Sequence, residues 1–206
     1  MLKLISADHE VKNRLQELDL TNQQLSEIAK RAIAEKFNAV ENHPVSAPGT
    51  FAYHAGVKAM RDILVDGSKW KKLVEKNIEY VENLDKKIKM IYQNVDYACG
   101  SNDPQPIARR RGIAKQNSIS SNQMPLFELE LQLPKCNVFV LCVSENNGIV
   151  NAELSLPTEI SPKGKFLNFV ERIFILKDFD IENADTSGTD SNRNEYDDDI
   201  QISMKS

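Results

Sequence analysis

Arg109, Arg110 and Arg111, followed by Gly112 and Lys115, put four cations into seven residues of a stretch that also holds Gly100 and a Ser/Asn/Gln run. Guanidinium forks match phosphate oxygens two at a time, and a chain without regular structure can follow a nucleic-acid backbone. The same cations could equally meet an acidic segment of their own chain. That segment exists. From Asp178 onward, Asp178, Asp180, Glu182, Asp185, Asp190, Glu195, Asp197, Asp198 and Asp199 are opposed only by Arg193 and Lys205. The formal net charge of −4 therefore divides into a tail near −7 and a preceding body near +3. Such asymmetry favours contact with DNA or RNA through the basic loop. Asp197, Asp198, Asp199 and Ile200 form an acidic-apolar motif suited to docking a protein partner or to shielding the loop.

Carboxylates offer a different chemistry. Glu79, Asp96 and Glu153 fall on or beside expected strands. A divalent-metal nuclease of the restriction-endonuclease type needs two carboxylates and a lysine converging at one end of a sheet, and it would take Mg2+. The pattern is incomplete. The one Asp-x-Lys spacing, Asp85 to Lys87, falls in an expected turn, and Glu153-Leu154-Ser155 has serine where lysine belongs. Polar strand faces explain these residues without catalysis. His9, His43 and His54 have no metal-ligand spacing. Glu171-Arg172 reads as an ordinary surface pair. No phosphate-binding glycine loop, His-Glu-x-x-His or Gly-x-Ser-x-Gly motif occurs, so no cofactor is expected.

Three helices would carry the first third of the chain. Asp8 to Leu18 has Val11, Leu15 and Leu18 on one stripe. Thr21 and Gln24 form a capping box, and Leu25, Ile28, Ala29, Ala32, Ile33, Phe37 and Val40 then recur at helical steps. A third helix begins near a Thr50 cap and ends near Asp66-Gly67. Its small residues Ala52, Ala55, Gly56 and Ala59 predict a close approach to another backbone. Strands follow at 78–82, 87–95, 127–133, 138–143 and 149–156, with a last one at 172–176. Asn146-Asn147-Gly148 supplies the positive φ angles of a hairpin turn. Helices first and strands after imply an α+β fold, helices packed on a mostly antiparallel sheet of five to six strands. Residues 1–177 read as a single domain with a flexible basic loop at 100–125, and 178–206 as a disordered acidic tail.

Composition bounds the setting. With 206 residues, 41% hydrophobic and 27% charged, the chain can bury a core without staples. Cys99, Cys136 and Cys142 are odd in number and show no framework spacing, which fits a reducing, cytoplasmic compartment. No apolar run is long enough for a membrane span, so no membrane partner is expected. The stretches Gly56-Val57-Lys58-Ala59-Met60-Arg61-Asp62, Ile91 to Asp96 and Asn151 to Pro157, with Glu171-Arg172-Ile173-Phe174-Ile175, resemble uncharacterised bacterial proteins carried by mobile elements. That resemblance spans about residues 20–177. It implies a bacterial or phage setting and no catalytic residue. A nucleic-acid-associated or partner-binding regulatory protein is the expected function, with the nuclease and an assembly or inhibitor module as alternatives.

Overall fold

The computed structural model describes residues 2–107, 119, 136–161 and 163–181. Among them are β1 (Lys3–Ile5), α1 (Asp8–Glu17), α2 (Asn22–Lys36), α3 (Ala47–Leu64), β2 (Trp70–Glu75), β3 (Ile78–Asn83), β4 (Ile88–Asn94), β5 (Asn137–Asn146), β6 (Ile149–Ile160) and β7 (Phe166–Asp180). The fold is α+β. Its sheet has seven strands in the order β1-β7-β6-β5-β4-β3-β2, more than the five to six expected. It is mixed: β1 runs parallel to β7 and β4 to β5, while the other four neighbouring pairs are antiparallel.

Local chemistry sets the helix ends. At the start of α2 the Thr21 hydroxyl accepts from Gln24 N at 3.2 Å, and Gln24 Oε1 accepts from Thr21 N at 2.9 Å. The helix stops at Lys36, not at the expected Val40. Three successive three-residue turns tighten the chain there, and Asn38 bonds Glu35 at 2.8 Å. Phe37 and Val40 are consequently exposed. Helix α3 begins at Ala47, with Ser46 as its cap position, and Thr50 lies inside it. Pro48 looks like a break in the sequence, but proline suits a first helical turn, where an amide hydrogen has no partner to lose.

Two strands carry little sequence signal. β1 is three residues long and is held by its pairing with β7, Ile5 beside Ile173, and by Ile5 burying in the helix-side core. β2 exposes Lys71 and Lys72, and it turns into β3 through Lys76 and Asn77, both at positive φ without a glycine. The expected Asn147-Gly148 turn is present, with φ of 53 and 80. β7 continues through Asp180, so the first residues assigned to the acidic tail belong to the sheet. They pair with Val150 and Ile149 on β6.

Alternation divides the side chains between two faces. On one face Val81, Met90, Tyr92, Phe139, Leu141, Ala152, Leu154 and Ile173 bury against Leu25, Ile28, Ile33, Val57 and Met60 of the helices. On the other, Tyr80, Ile91, Val138, Val140, Cys142, Phe166 and Phe169 form a second core with Val95, Ala98 and Ile119. No helix is long and apolar enough to cross a membrane among the described residues.

Helix α3 lies close to the sheet because Gly56 has no side chain. A Cβ there would stand 2.5 Å from the Tyr92 ring. Tyr92 is 1% exposed and sits on central strand β4, so it has little room to retreat. Gly56→Ala is expected to lower unfolding stability by about 1–3 kcal/mol in urea titration, with Tyr92→Leu recovering part of the loss. An unchanged midpoint would show that the helix does not sit this close.

Candidate functional site

A buried ion pair organises the second face. Glu153 on β6 and Arg172 on β7 are 0% and 1% exposed. Arg172 Nε donates to Glu153 Oε1 at 2.8 Å and Nη2 to Oε2 at 2.8 Å, a two-point fork. The remaining acceptor capacity of Glu153 is filled as well. The Ser155 hydroxyl donates to Oε1 at 2.6 Å and the Cys99 amide to Oε2 at 2.6 Å. Arg172 Nη2 also reaches the Gly100 carbonyl at 3.1 Å, and Nη1 lies 3.6 Å from Asp103. Burial works against the charge on Arg172, but the bond from Glu153 and the nearby Asp103 overcome it and hold the guanidinium above its ordinary value. A buried pair survives only when its hydrogen-bonding groups are satisfied in this way.

The partners Cys99, Gly100 and Asp103 belong to one strap. Residues 95–107 leave the end of β4 and cross the second face. Ala98 N donates to Ser144 Oγ at 3.0 Å. Gln105 pairs with the backbone of Phe166 in both directions, at 3.1 and 3.2 Å. Asp96 closes the loop by accepting from Tyr97 N and Gln105 N, each at 2.7 Å. The first residues of the expected flexible loop are thus held down, and Ile119 is 0% exposed in the same core. A reason lies in the topology: β4 and β5 are parallel, so their connection must cross a face of the sheet.

Residues 105–107 end in a definite place. Val95 N donates to Val143 O on β5, whereas Asp96 N donates to Gln105 O and Asn94 O accepts from Ile107 N. Backbone groups alternate sides along a strand, so 105–107 lie on the side of β4 away from β5. Further along, that side belongs to β3, whose registered pairing with β4 covers only Val81 to Asn83. Ile107 is 62% exposed.

The three carboxylates considered for metal chemistry are not brought together. Glu153 faces the strap and is occupied by Arg172. Glu79 lies on β3 beside Val81, which points to the helices, and it bonds Arg61 of α3 there. Asp96 is exposed and bonded within the strap. Among the described residues no group of three or more His, Cys, Asp or Glu is placed to hold a metal ion. Arg109, Arg110, Arg111 and Lys115, and Asp197, Asp198, Asp199 and Ile200, lie outside the described residues, as does the strand expected at 127–133.

Sequence reasoning missed the pair itself. Glu171 and Arg172 read as surface residues, yet both are buried, at 4% and 1%. They face opposite ways: Glu171 accepts a fork from Arg14 on α1, at 2.9 and 2.6 Å, while Arg172 meets Glu153. The available signal was a charge inside an apolar strand, in Arg172-Ile173-Phe174-Ile175 and again in Ala152-Glu153-Leu154. No family model matches the chain, and no curated protein or solved structure is significantly similar to it.

Cys99 adds a titratable marker of the strap. Burial and the neighbouring Glu153 push its thiol up to about 12, against Arg172 and two backbone contacts. Because its folded value lies above the ordinary 9.0, the contribution is intact below pH 9 and is lost as pH rises toward 12. Native protein at pH 8 should therefore leave Cys99 unlabelled by iodoacetamide, with labelling appearing in denaturant or in step with unfolding above pH 9. Rapid labelling of Cys99 at pH 8 in the native state would show that the strap opens freely.

Proposed function

We propose that the protein binds a polyanion, nucleic acid before any other, through a basic surface built from Arg109, Arg110, Arg111 and Lys115 together with the lysines of the β2–β3–β4 edge. One observation carries this reading: the strap delivers Ile107 to the β3 side of β4. Arg109 follows by two residues and Arg111 by four, no more than about 14 Å of extended chain. That exit lies on the side of the sheet that bears Lys71, Lys72, Lys76 and Lys87, with Lys76 of the β2–β3 turn at the same end of β4 and Lys87 at the other. These four lysines are exposed and make no ion pair among the described residues. Edge lysines also keep other strands from pairing with β2. That role needs no arginine run beside them, which separates the two readings in a binding assay.

The acidic segment after Ile181 serves in this reading as a competitor for the same cations, with Asp197, Asp198, Asp199 and Ile200 as its docking motif. The protein is then a regulatory binding protein. A reducing compartment such as the cytoplasm suits its thiols, and a bacterial or phage setting follows from the resemblance drawn above. A protein partner in place of nucleic acid would use the acidic segment and not the arginine run.

Polarisation binding to single- and double-stranded DNA and RNA tests this. Replacing Arg109, Arg110 and Arg111 together by Gln should weaken binding at least about tenfold at 0.1 M salt. It should also flatten the dependence of log K on log salt by about three. Removing residues 182–206 should tighten binding. Equal affinity and slope in the triple variant would refute the proposal and leave the edge lysines with their guarding role.

A further inference from the structure

The end of β4 joins two parts of the molecule. Asn94 O accepts from Ile107 N where the strap leaves the sheet, and Asn94 Nδ2 donates to Gly49 O in the first turn of α3 at 2.8 Å. Continued from Val81 and Met90, the β3–β4 register would set Asn77 beside Asn94, the place that Ile107 takes. The β2–β3 turn therefore flanks the exit of the strap. Between that turn and α3 lies an open pocket of about 430 Å3, within the range that holds small ligands.

The charges of this pocket are already balanced. Arg61 bonds Glu79 Oε2, and Lys58 lies 2.5 Å from Asp62. Two polar atoms of the wall are left over among the described residues. Glu79 Oε1 accepts no hydrogen bond, and the Tyr53 hydroxyl makes none. Neither is closed off, in contrast to Arg61 Nε. Burial and Glu79 raise the Tyr53 pKa while Arg61 lowers it, so the hydroxyl stands near both charges and keeps its proton at ordinary pH. His54 and Val57, three residues apart on α3, add a ring and an aliphatic surface to the same wall. An anion entering here would meet the open carboxylate oxygen. A flat, uncharged ligand with an N–H donor beside an acceptor would satisfy Glu79 and Tyr53 together. An unpaired nucleobase presents such an edge, and in a duplex the partner base occupies it.

We propose that this pocket receives one unpaired base of a single-stranded nucleic acid, whose N–H donates to Glu79 Oε1 and whose neighbouring acceptor takes a hydrogen bond from Tyr53, with the base face against His54 and Val57. The inference rests on the polyanion reading above and narrows its ligand. The phosphates of the strand meet the basic surface, and one base turns into the pocket at the same end of β4.

Two titrations of the full-length protein test it. In the first, the amides of His54, Lys58, Asn77 and Glu79 in 15N-labelled protein are followed against deoxycytidine and against N3-methylthymidine, whose base has acceptors but no N–H. Deoxycytidine should shift them saturably and N3-methylthymidine should leave them in place. In the second, polarisation compares a cytosine oligonucleotide with an abasic one of equal length. Both carry the same phosphates, and the cytosine strand should bind at least about tenfold more tightly. Tyr53→Phe removes an oxygen that has no partner within the fold, and it should reduce that preference about threefold to tenfold. Replacing Arg109, Arg110 and Arg111 by Gln should weaken both strands and leave the preference unchanged. Equal binding of the two strands, no response or an equal response to the two nucleosides, or an unchanged preference in Tyr53→Phe would overturn the base pocket and leave the polyanion reading standing. Failure of both strands to bind would remove that reading, and the single strand as ligand with it, even where deoxycytidine shifts the pocket amides.

Discussion

Glu153 and Arg172 are the two charges that this sheet cannot leave unpaired. Moving either from water into a protein interior costs several kcal/mol even after relaxation. The cost is offset only because both oxygens of Glu153 accept two hydrogen bonds each and Arg172 spreads its donors over Glu153 and Gly100. Two of those contacts, the Cys99 amide and the Gly100 carbonyl, come from the strap and not from the sheet. The pair is therefore complete only with the strap in place, and the strap is tied to the sheet by the pair at Cys99 and Gly100 as well as by Ala98 to Ser144 and Gln105 to Phe166. Cys99 accepts a positive φ of 59 to present its amide, a conformation that a non-glycine residue adopts when its surroundings hold it there.

From that constraint the rest of the second face follows. Phe166, Phe169, Val138 and Val140 would otherwise lie bare on a sheet whose other face is already taken by three helices. The strap and Ile119 cover them. Gln105 locks to Phe166, and the chain then emerges at Ile107 beside β4. The exit point is set by hydrogen bonds and not by the charge of what comes next. A basic segment carried from such an anchored exit can meet a polyanion with less loss of chain entropy than a free tail would suffer. This links the buried pair to the proposed binding surface several residues away.

Much of this was legible in the residues. The capping box at Thr21 and Gln24, the small residues of α3 and the Asn147-Gly148 turn are local signals, and each sits where its chemistry requires. The close approach of α3 appears as Gly56 against Tyr92. Less visible were β1 and β2, because a three-residue strand has no period to read and β2, Trp70-Lys71-Lys72-Leu73-Val74-Glu75, pairs its lysines and its aliphatic residues side by side and so shows no alternation. The parallel pairing of β4 and β5 was hidden for a different reason. It depends on where a 42-residue connection travels, which no local pattern encodes. The buried pair escaped notice because Glu171-Arg172 looks like any surface dipeptide. Only strand alternation, combined with knowing that both faces are covered, turns those two charges inward to different partners. Glu79, Asp96 and Glu153 were grouped by residue type, and the sheet separates them by face and by partner.

Amide hydrogen exchange on wild-type protein and on Glu153→Gln tests the central claim most directly. The variant keeps the size of the side chain and removes the charge, so about 3–5 kcal/mol of stability is at stake around a buried, unpaired Arg172. The amides of Ala98, Cys99, Gln105 and Ile107 are expected to lose protection well before those of α2, α3 and β5. Equal protection of the strap in both proteins, or a uniform loss across the whole fold, would contradict a strap held by this pair.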